Sequence, residues 1–491
     1  MGVRFMLGGL LELERDGTLP LPEQIYRGLR AAISAGRVAS GDRLPSSRAL
    51  AASLDVSRNT VNAAYELLAA EGVVTVRSGA APRVVAFDAP EQDGLSVLAE
   101  AEGPGLSRRG LEIAATRRAS EGRRVEGRLQ PGVPALDCYP VDGWARTLRR
   151  AARTLRGGAL YYEELAGYAP LRRTLAAYLS RERGLRVRAE QILVTPSTQA
   201  SLYLLANALA DPGDVAWLED PGYLGARAAF TAAGLAIRAM PVDDQGADPG
   251  AMAATPRPRL IYVTPSHQYP LGLRMPLPRR LRLLEVARSA GAVVLEDDYD
   301  SEFLFTGRPI AALQGLSSAA QTVYLGTFAK SMMPSLRVAY IVVPPQLVAP
   351  LRSVQHNTGA FANVATQAAL ADFIERGHYR AHLKRIRAVY QQRGDALVEA
   401  LRAELGNAIS VSLPAGGIQL SLRFAPEVDD AAIAADLNGR GYAVSPLSRY
   451  TLEAPLSGLV VGFAAATLQD VHGGAAAIAD ALRRAGVVDK A

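Results

Sequence analysis

Among 491 residues there is one cysteine and only three lysines. The lone Cys138 excludes an internal disulfide framework and suits a reducing, cytoplasmic compartment. No stretch approaches the ~20 consecutive apolar residues that cross a bilayer. The opening residues are mildly apolar but carry Glu12 and Glu14, with no basic start or cleavage pattern, so no secretory leader is expected. No Gly-x-Gly-x-x-Gly sits between a strand and a helix, which argues against a nicotinamide enzyme. No repeat of 20–50 residues is present, which removes solenoids and propellers. With so few lysines, the placement of Lys330, Lys384 and Lys490 carries information. Arginine supplies nearly all the basicity. The net charge of +6 permits nucleic-acid binding without demanding it.

The length calls for more than one domain. Residues 18–85 read as a small helical unit with a β-wing. Residues 86–125 mix Gly, Pro and charges without a sustained period and read as a linker. Residues 126–487 alternate apolar runs with amphipathic stretches, an α/β pattern.

In the first unit Ile25, Leu29, Ala32 and Ile33 share a helical stripe. In GDRLPSSRALAASL, Pro45 ends an extended step, and Ser46 or Ser47 can cap a helix through Leu54. A turn over residues 55–57 leads to RNTVNAAYELLAAEG, capped by Ser57. Val61, Ala64, Tyr65 and Leu68 face inward, while Arg58, Asn59 and Asn62 face outward. Two short helices on a tight turn lay the second in a major groove, and Arg and Asn are types that read base edges. VVTVRSGAAPRVV reads as a hairpin wing with Arg77 and Arg83 near its tip. Residues 20–83 carry eight Arg against five acids, a modest surplus. A helical protein-interaction module would share this spacing. The run RLPSSRALAASLDVSRNTVNAAYELLAAEGVV, however, resembles the GntR family of winged helix-turn-helix repressors. That resemblance implies contacts to double-stranded operator DNA from Arg43, Ser46, Ser47, Arg48, Ser57, Arg58, Asn59, Thr60, Arg77 and Gly79. The family wing usually carries two glycines; here Ala81 replaces the second.

In the large unit LIYVT (260–264), AVVLE (292–296), TVYLG (322–326) and VAYIVV (338–343) are short continuous runs. They suit strands buried on both faces of a mainly parallel sheet. Lys330 follows TVYLG in GTFAKSMMPSLRVAY, at a strand's C-terminal end, where open α/β sheets bind ligands. A partly desolvated lysine there can form a Schiff base. Lys384, on an amphipathic helix, and Lys490, next to the last residue, read as solvated. EDDYDSEF places carboxylates at another strand end, where one can keep a pyridine nitrogen protonated. Arg337 suits bidentate phosphate binding, and TPSTQAS offers hydroxyls and N–H groups at a helix N-terminus. His378 and His382 have the i, i+4 spacing of a metal pair. Without a third ligand they read as surface or packing residues, and no metal is expected.

This constellation resembles the fold-type I pyridoxal-phosphate enzymes of the aspartate aminotransferase superfamily, over about residues 126–486. By that resemblance Lys330 carries pyridoxal 5'-phosphate as an internal aldimine, and Asp297 pairs with the pyridine nitrogen. Tyr299 hydrogen-bonds the phenolic oxygen, and Tyr223 packs on the ring. Thr198, Gln199, Thr327 and Arg337 hold the phosphate, with Tyr162 reaching in from a partner subunit. Arg449 takes an effector carboxylate. Two departures stand out: Tyr269 in SHQYPLG replaces the usual Asn, leaving His267 or Gln268 to supply a hydrogen bond, and Ala329 replaces a common hydroxyl. The order of the modules, with PSHQYPLG, EDDYDSEF and GTFAKSMMPSLR, resembles the MocR family of regulators. The family implies a domain-swapped homodimer that senses a small amine, an amino acid or the cofactor itself, and is not primarily an enzyme. The rival is an aminotransferase with an accessory DNA-binding head.

Overall fold

The computed structural model describes residues 11, 13–15, 19–76, 80–85, 105–115, 128–161, 166–307, 310–316, 321–406, 408–409, 411 and 415–488. The chain divides into two compact units, Met1–Gly105 and Leu106–Ala491.

The first unit contains helices α1 (Leu21–Ser34), α2 (Ser47–Leu54) and α3 (Arg58–Ala70) and a minimal antiparallel pair, β1 (Val74–Thr75) with β2 (Arg83–Val84). Ile25, Leu29 and Ala32 of α1 meet Leu50 of α2 and Val61, Ala64 and Leu68 of α3 in one core, closed by Val74 and Val84. The two serine signals resolve into Ser46, whose hydroxyl accepts from the Ala49 N–H, and Ser57, which accepts from the Thr60 N–H. Each thereby satisfies a donor that the first helical turn leaves open. Between the helices Asp55 adopts a left-handed conformation, φ 51°, which makes the turn tight.

The second unit is built on an eight-stranded sheet of order β3-β10-β9-β8-β7-β4-β5-β6. Its strands are β3 (Ile192–Thr195), β4 (Val215–Asp220), β5 (Ala236–Asp243), β6 (Gly246–Ala247), β7 (Leu260–Val263), β8 (Val293–Asp298), β9 (Thr322–Thr327) and β10 (Ala339–Val342). Strands β5, β4, β7, β8 and β9 run parallel, and β10 is antiparallel to both β9 and β3. Both faces are covered. Leu193, Leu218, Tyr262, Leu295 and Leu325 pack with Leu202, Leu205 and Phe230 on one side. Val194, Tyr324 and Tyr340 pack with Leu171, Leu175, Phe373 and Tyr379 on the other. Burial on both faces is why these strands lack polar alternation. A smaller antiparallel sheet, β11 (Gln419–Phe424), β13 (Ser457–Gly462) and β12 (Ser445–Pro446), completes the unit.

One helix, Arg108–Ala115, falls inside the segment read as linker. None of its side chains is buried, so the sequence carries no buried stripe to announce it. Its Arg109 donates to the Ala232 carbonyl through Nε at 2.6 Å.

Candidate functional site

Five strand ends converge on one cavity. Strand β3 leads into the helix Thr198–Leu209, capped by Ser197. Strand β4 turns at Asp220 toward Tyr223, β7 ends beside Thr264, β8 delivers Asp297 and Tyr299, and β9 runs through Thr327 into the turn bearing Lys330. All are C-terminal ends, where the strands stop and side chains project past the sheet. The enclosed volume is about 260 Å³.

Eight of the expected residues line this cavity: Thr198, Gln199, Tyr223, Asp297, Tyr299, Thr327, Lys330 and Arg337. Gly132, Tyr262 and Thr264 line it as well, and sequence reasoning had not placed them there, whereas Ser197 and Tyr269, which also line it, belong to the TPSTQAS and SHQYPLG motifs. Tyr262 and Thr264 read in the sequence only as part of the apolar run LIYVT, and Gly132 carries no functional group.

Asp297 is 3% exposed. Its Oδ2 accepts from the Tyr262 hydroxyl at 2.7 Å, while Oδ1 is buried without a partner. Burial pushes its carboxyl up to about 7, against the pull of the Tyr262 hydrogen bond and the Lys330 charge. Lys330 is half-buried and its Nζ donates to the Gly132 carbonyl. The Tyr223 ring stacks on Tyr262 with centroids 6.4 Å apart and meets Tyr269 edge-on at 5.6 Å. At Gly225 an added Cβ would come within 2.3 Å of the Tyr223 ring, so a side chain there would displace the ring. Gln199 Nε2 donates to the Gly225 carbonyl, and Thr327 Oγ1 accepts from the Ala329 N–H. Arg337 is exposed, with φ 55°, directly after the turn Pro334–Leu336.

Two expected residues are not brought to the cavity wall. His267 is buried behind Tyr299, its Nδ1 held by Asp300 Oδ2 at 2.9 Å. Arg449 lies on the turn Leu447–Tyr450, outside the lining. That segment is fixed by carboxylates distant in sequence: Asp430 accepts from the Ser448 N–H, and Asp220 accepts from the N–H groups of Leu452, Glu453 and Ala454 at 2.7–2.8 Å. Its neighbour Tyr450 reaches the cavity indirectly, with its ring 5.4 Å from that of Tyr269. Gln268 spends its amide on Glu219, Pro221 and Tyr269. Tyr162, Arg77 and Gly79 lie outside the described residues.

Among the other histidines and lysines, His382 is buried with Nε2 at 2.8 Å from the Ser331 carbonyl, and burial lowers its pKa to about 4. His378 packs against the Phe373 ring. Among the described residues no group of three His, Cys, Asp or Glu side chains could hold a metal ion, and no helix is long and apolar enough to cross a membrane.

On the first unit Arg43, Arg48, Arg58 and Asn59 are exposed. Arg58 Nε donates to Ser47 Oγ at 3.2 Å, which ties the first residue of α3 to the first residue of α2. Ser46 and Ser57 are committed to capping, and Thr60 Oγ1 lies 2.8 Å from Ser57 Oγ. A backbone bridge joins Arg43 to Arg83, setting the approach to α2 beside the hairpin.

A helix-turn-helix head and an α/β unit with a lysine-and-carboxylate pocket define a two-module protein, one module for DNA and one for a small ligand. Residues 21–84 match the model of bacterial regulatory proteins, gntR family, and residues 133–478 that of aminotransferase class I and II. The chain is 39% identical to the probable rhizopine catabolism regulatory protein MocR of Rhizobium meliloti, over 93% of this chain and 92% of that protein. It is 29% identical to the HTH-type pyridoxine biosynthesis transcriptional regulator PdxR of Corynebacterium glutamicum, covering 88% of each. The solved structure of LysN, an α-aminoadipate aminotransferase from Thermus thermophilus complexed with N-(5'-phosphopyridoxyl)-L-leucine, superposes with a TM-score of 0.69 at 28% identity. That match covers 76% of this chain and 97% of LysN. The chain belongs to the MocR-type transcription regulators, in which a GntR head is joined to a domain of aminotransferase fold. The fold and its ligand-bearing neighbour imply pyridoxal phosphate.

Proposed function

We propose that this regulator binds pyridoxal phosphate in the 260 Å³ cavity and couples its occupancy to operator DNA. The observation that carries this reading is Asp297: a buried carboxylate with one oxygen lacking a partner, in a cavity whose other wall holds Lys330. An unpaired buried acceptor is costly, and a cationic ring N–H against Oδ1 would satisfy it and hold Asp297 ionised. Lys330 would attach the cofactor through its amine, Tyr299 would face the phenolic oxygen and Tyr223 the ring. Thr198, Gln199, Thr327 and Arg337, with Tyr162 of a second subunit, would hold the phosphate. When bound, the cofactor supplies an electrophilic carbon that exchanges amines. The chain's own part is to anchor, orient and charge-balance.

The effector of this reading is a small amine or amino acid, with its carboxylate toward Arg449, or pyridoxal phosphate itself. The relatives' names support both, one referring to rhizopine catabolism and one to pyridoxine biosynthesis. The DNA-reading set is Arg43, Ser46, Ser47, Arg48, Ser57, Arg58, Asn59, Thr60, Arg77 and Gly79. The head spans residues 18–85, the connection 86–125 and the effector domain 126–487, and the working form is a homodimer. The likeness to LysN favours a second reading, steady transamination with the head as accessory.

Borohydride reduction followed by peptide mapping tests the pocket: the pyridoxyl group should sit on Lys330, and Lys330→Ala should abolish the visible colour. Label on Lys384 would overturn the assignment.

A further inference from the structure

His267 belongs to no wall of the main cavity, yet its Nδ1 lies within hydrogen-bond distance of two oxygens: Asp300 Oδ2 at 2.9 Å and the Tyr299 hydroxyl at 3.1 Å. Ring and carboxylate are both buried, at 5% and 2% exposure. Burial raises the pKa of the Asp300 carboxyl while His267 and Lys330 pull it back down; in its ionised form the carboxylate only accepts, so Nδ1 then carries the proton and donates to Asp300. A protonated Nδ1 cannot accept from Tyr299. The Tyr299 oxygen can then only receive a share of that N–H, and its own hydroxyl proton is left for the cavity it lines. The far end of the ring agrees. Nε2 is buried without a partner and packs on Gly417, where an added Cβ would lie 2.1 Å from the imidazole Cε1. A proton on Nε2 would be an orphaned donor, a rarer vacancy in folded proteins than an orphaned acceptor.

We propose that His267, oriented by Asp300, is a positioning residue that aims the Tyr299 hydroxyl proton into the cavity as a fixed donor. The inference rests on the reading of that cavity as a pyridoxal-phosphate site, where Tyr299 would face the phenolic oxygen. It gives His267 a role at one remove: it touches no ligand and acts through Tyr299.

Other ionisable groups face this trio. Asp297 and Asp298 flank it on β8, Lys330 comes from the turn after β9, Tyr269 from the 264–271 loop and Glu219 from β4. Arg183, Arg274 and Arg280 line a separate cavity of about 30 Å³ with His267 and Asp300. A double-mutant cycle isolates His267 from these neighbours, because they are common to every variant.

The measurement is the pH midpoint of the visible absorption band of full-length protein loaded with pyridoxal phosphate, together with the cofactor's dissociation constant. Tyr299→Phe removes a donor from an oxygen that is stabilised as an anion, so the midpoint should rise by about one pH unit, the scale of a hydrogen bond to a charged group. His267→Phe should move it the same way by a smaller amount and weaken cofactor binding several-fold. Combined with Tyr299→Phe it should add nothing. If His267→Phe leaves the midpoint unchanged, or its effect adds fully to that of Tyr299→Phe, the positioning role is wrong. If His267→Phe fails to fold, His267→Asn, whose amide can keep the donor to Asp300, should restore the wild-type midpoint; a shifted midpoint there counts against the proposal. Wild-type protein that takes up no pyridoxal phosphate would instead sink the underlying reading of the cavity.

Discussion

Asp297 illustrates how a single residue ties stability to ligand chemistry. Its carboxyl is raised from the ordinary carboxylate range to about 7, first by burial. The unfolded chain gives up this proton near pH 4, the folded cofactor-free chain near 7. Between those values the native state holds the extra proton, so the stabilisation present below pH 4 is lost as pH rises toward 7. Asp297→Asn should therefore make cofactor-free protein more stable than wild type at pH 8, by at most about 4 kcal/mol. The advantage should vanish at pH 4, as read by denaturant unfolding at both values. A difference independent of pH would contradict the assignment. Loaded protein should show the reverse, with the variant binding pyridoxal phosphate more weakly because a cationic ring nitrogen loses its counter-charge. Asp297, Tyr299 and Lys330 were legible because each sits in a local motif at the end of an apolar run, where strand direction alone decides which side chains face a ligand. Tyr262, Thr264 and Gly132 were not, because the apolar run LIYVT and the segment at Gly132 carry no functional motif to mark them. His267 and Arg449 were recognised as chemistry but not as geometry: Asp300 holds the first, while Asp430 and Asp220 set the path of the segment carrying the second.

At the scale of elements, the turn between α2 and α3 is the most exacting piece of the head. The Ser57 cap at the start of α3 satisfies the Thr60 N–H. Ser57→Ala should cost about 1 kcal/mol, visible as faster amide exchange in α3; unchanged exchange would show that the cap contributes nothing. Arg58 stands exposed on the first turn of α3 with its core face supplied by Val61, Ala64 and Leu68. Arg58→Ala should leave the fold intact and weaken operator binding by more than ~1 kcal/mol if it reads a base bidentately. An equal loss on random duplex would instead mark it as a phosphate contact. The capped helices and the buried strands were legible because caps and continuous apolar runs are local signals. The helix Arg108–Ala115 was not, because it is short and buries no side chain.

At the scale of the whole molecule, a regulator must let the pocket at Lys330 change what α3 does on DNA. A ligand can do so only through different affinities for two arrangements of the protein. Reciprocity then requires operator DNA to change ligand affinity by the same factor. That the chain carries both modules was legible from motif order alone; how occupancy is transmitted was not, because it depends on contacts between surfaces that no local pattern encodes. The head alone, residues 1–90, should bind DNA weakly and ignore pyridoxal phosphate and amines. The central claim is tested most directly by titrating one operator duplex with full-length protein, without cofactor, with pyridoxal phosphate, and with cofactor plus a panel of amines and amino acids. At least one condition should shift operator affinity by roughly 5–150-fold or change the footprint, the usual scale of allosteric coupling. Identical affinity and footprint in every condition, alongside steady transamination at ~1 s⁻¹ or faster, would contradict the account and make the DNA-binding head an accessory to an enzyme.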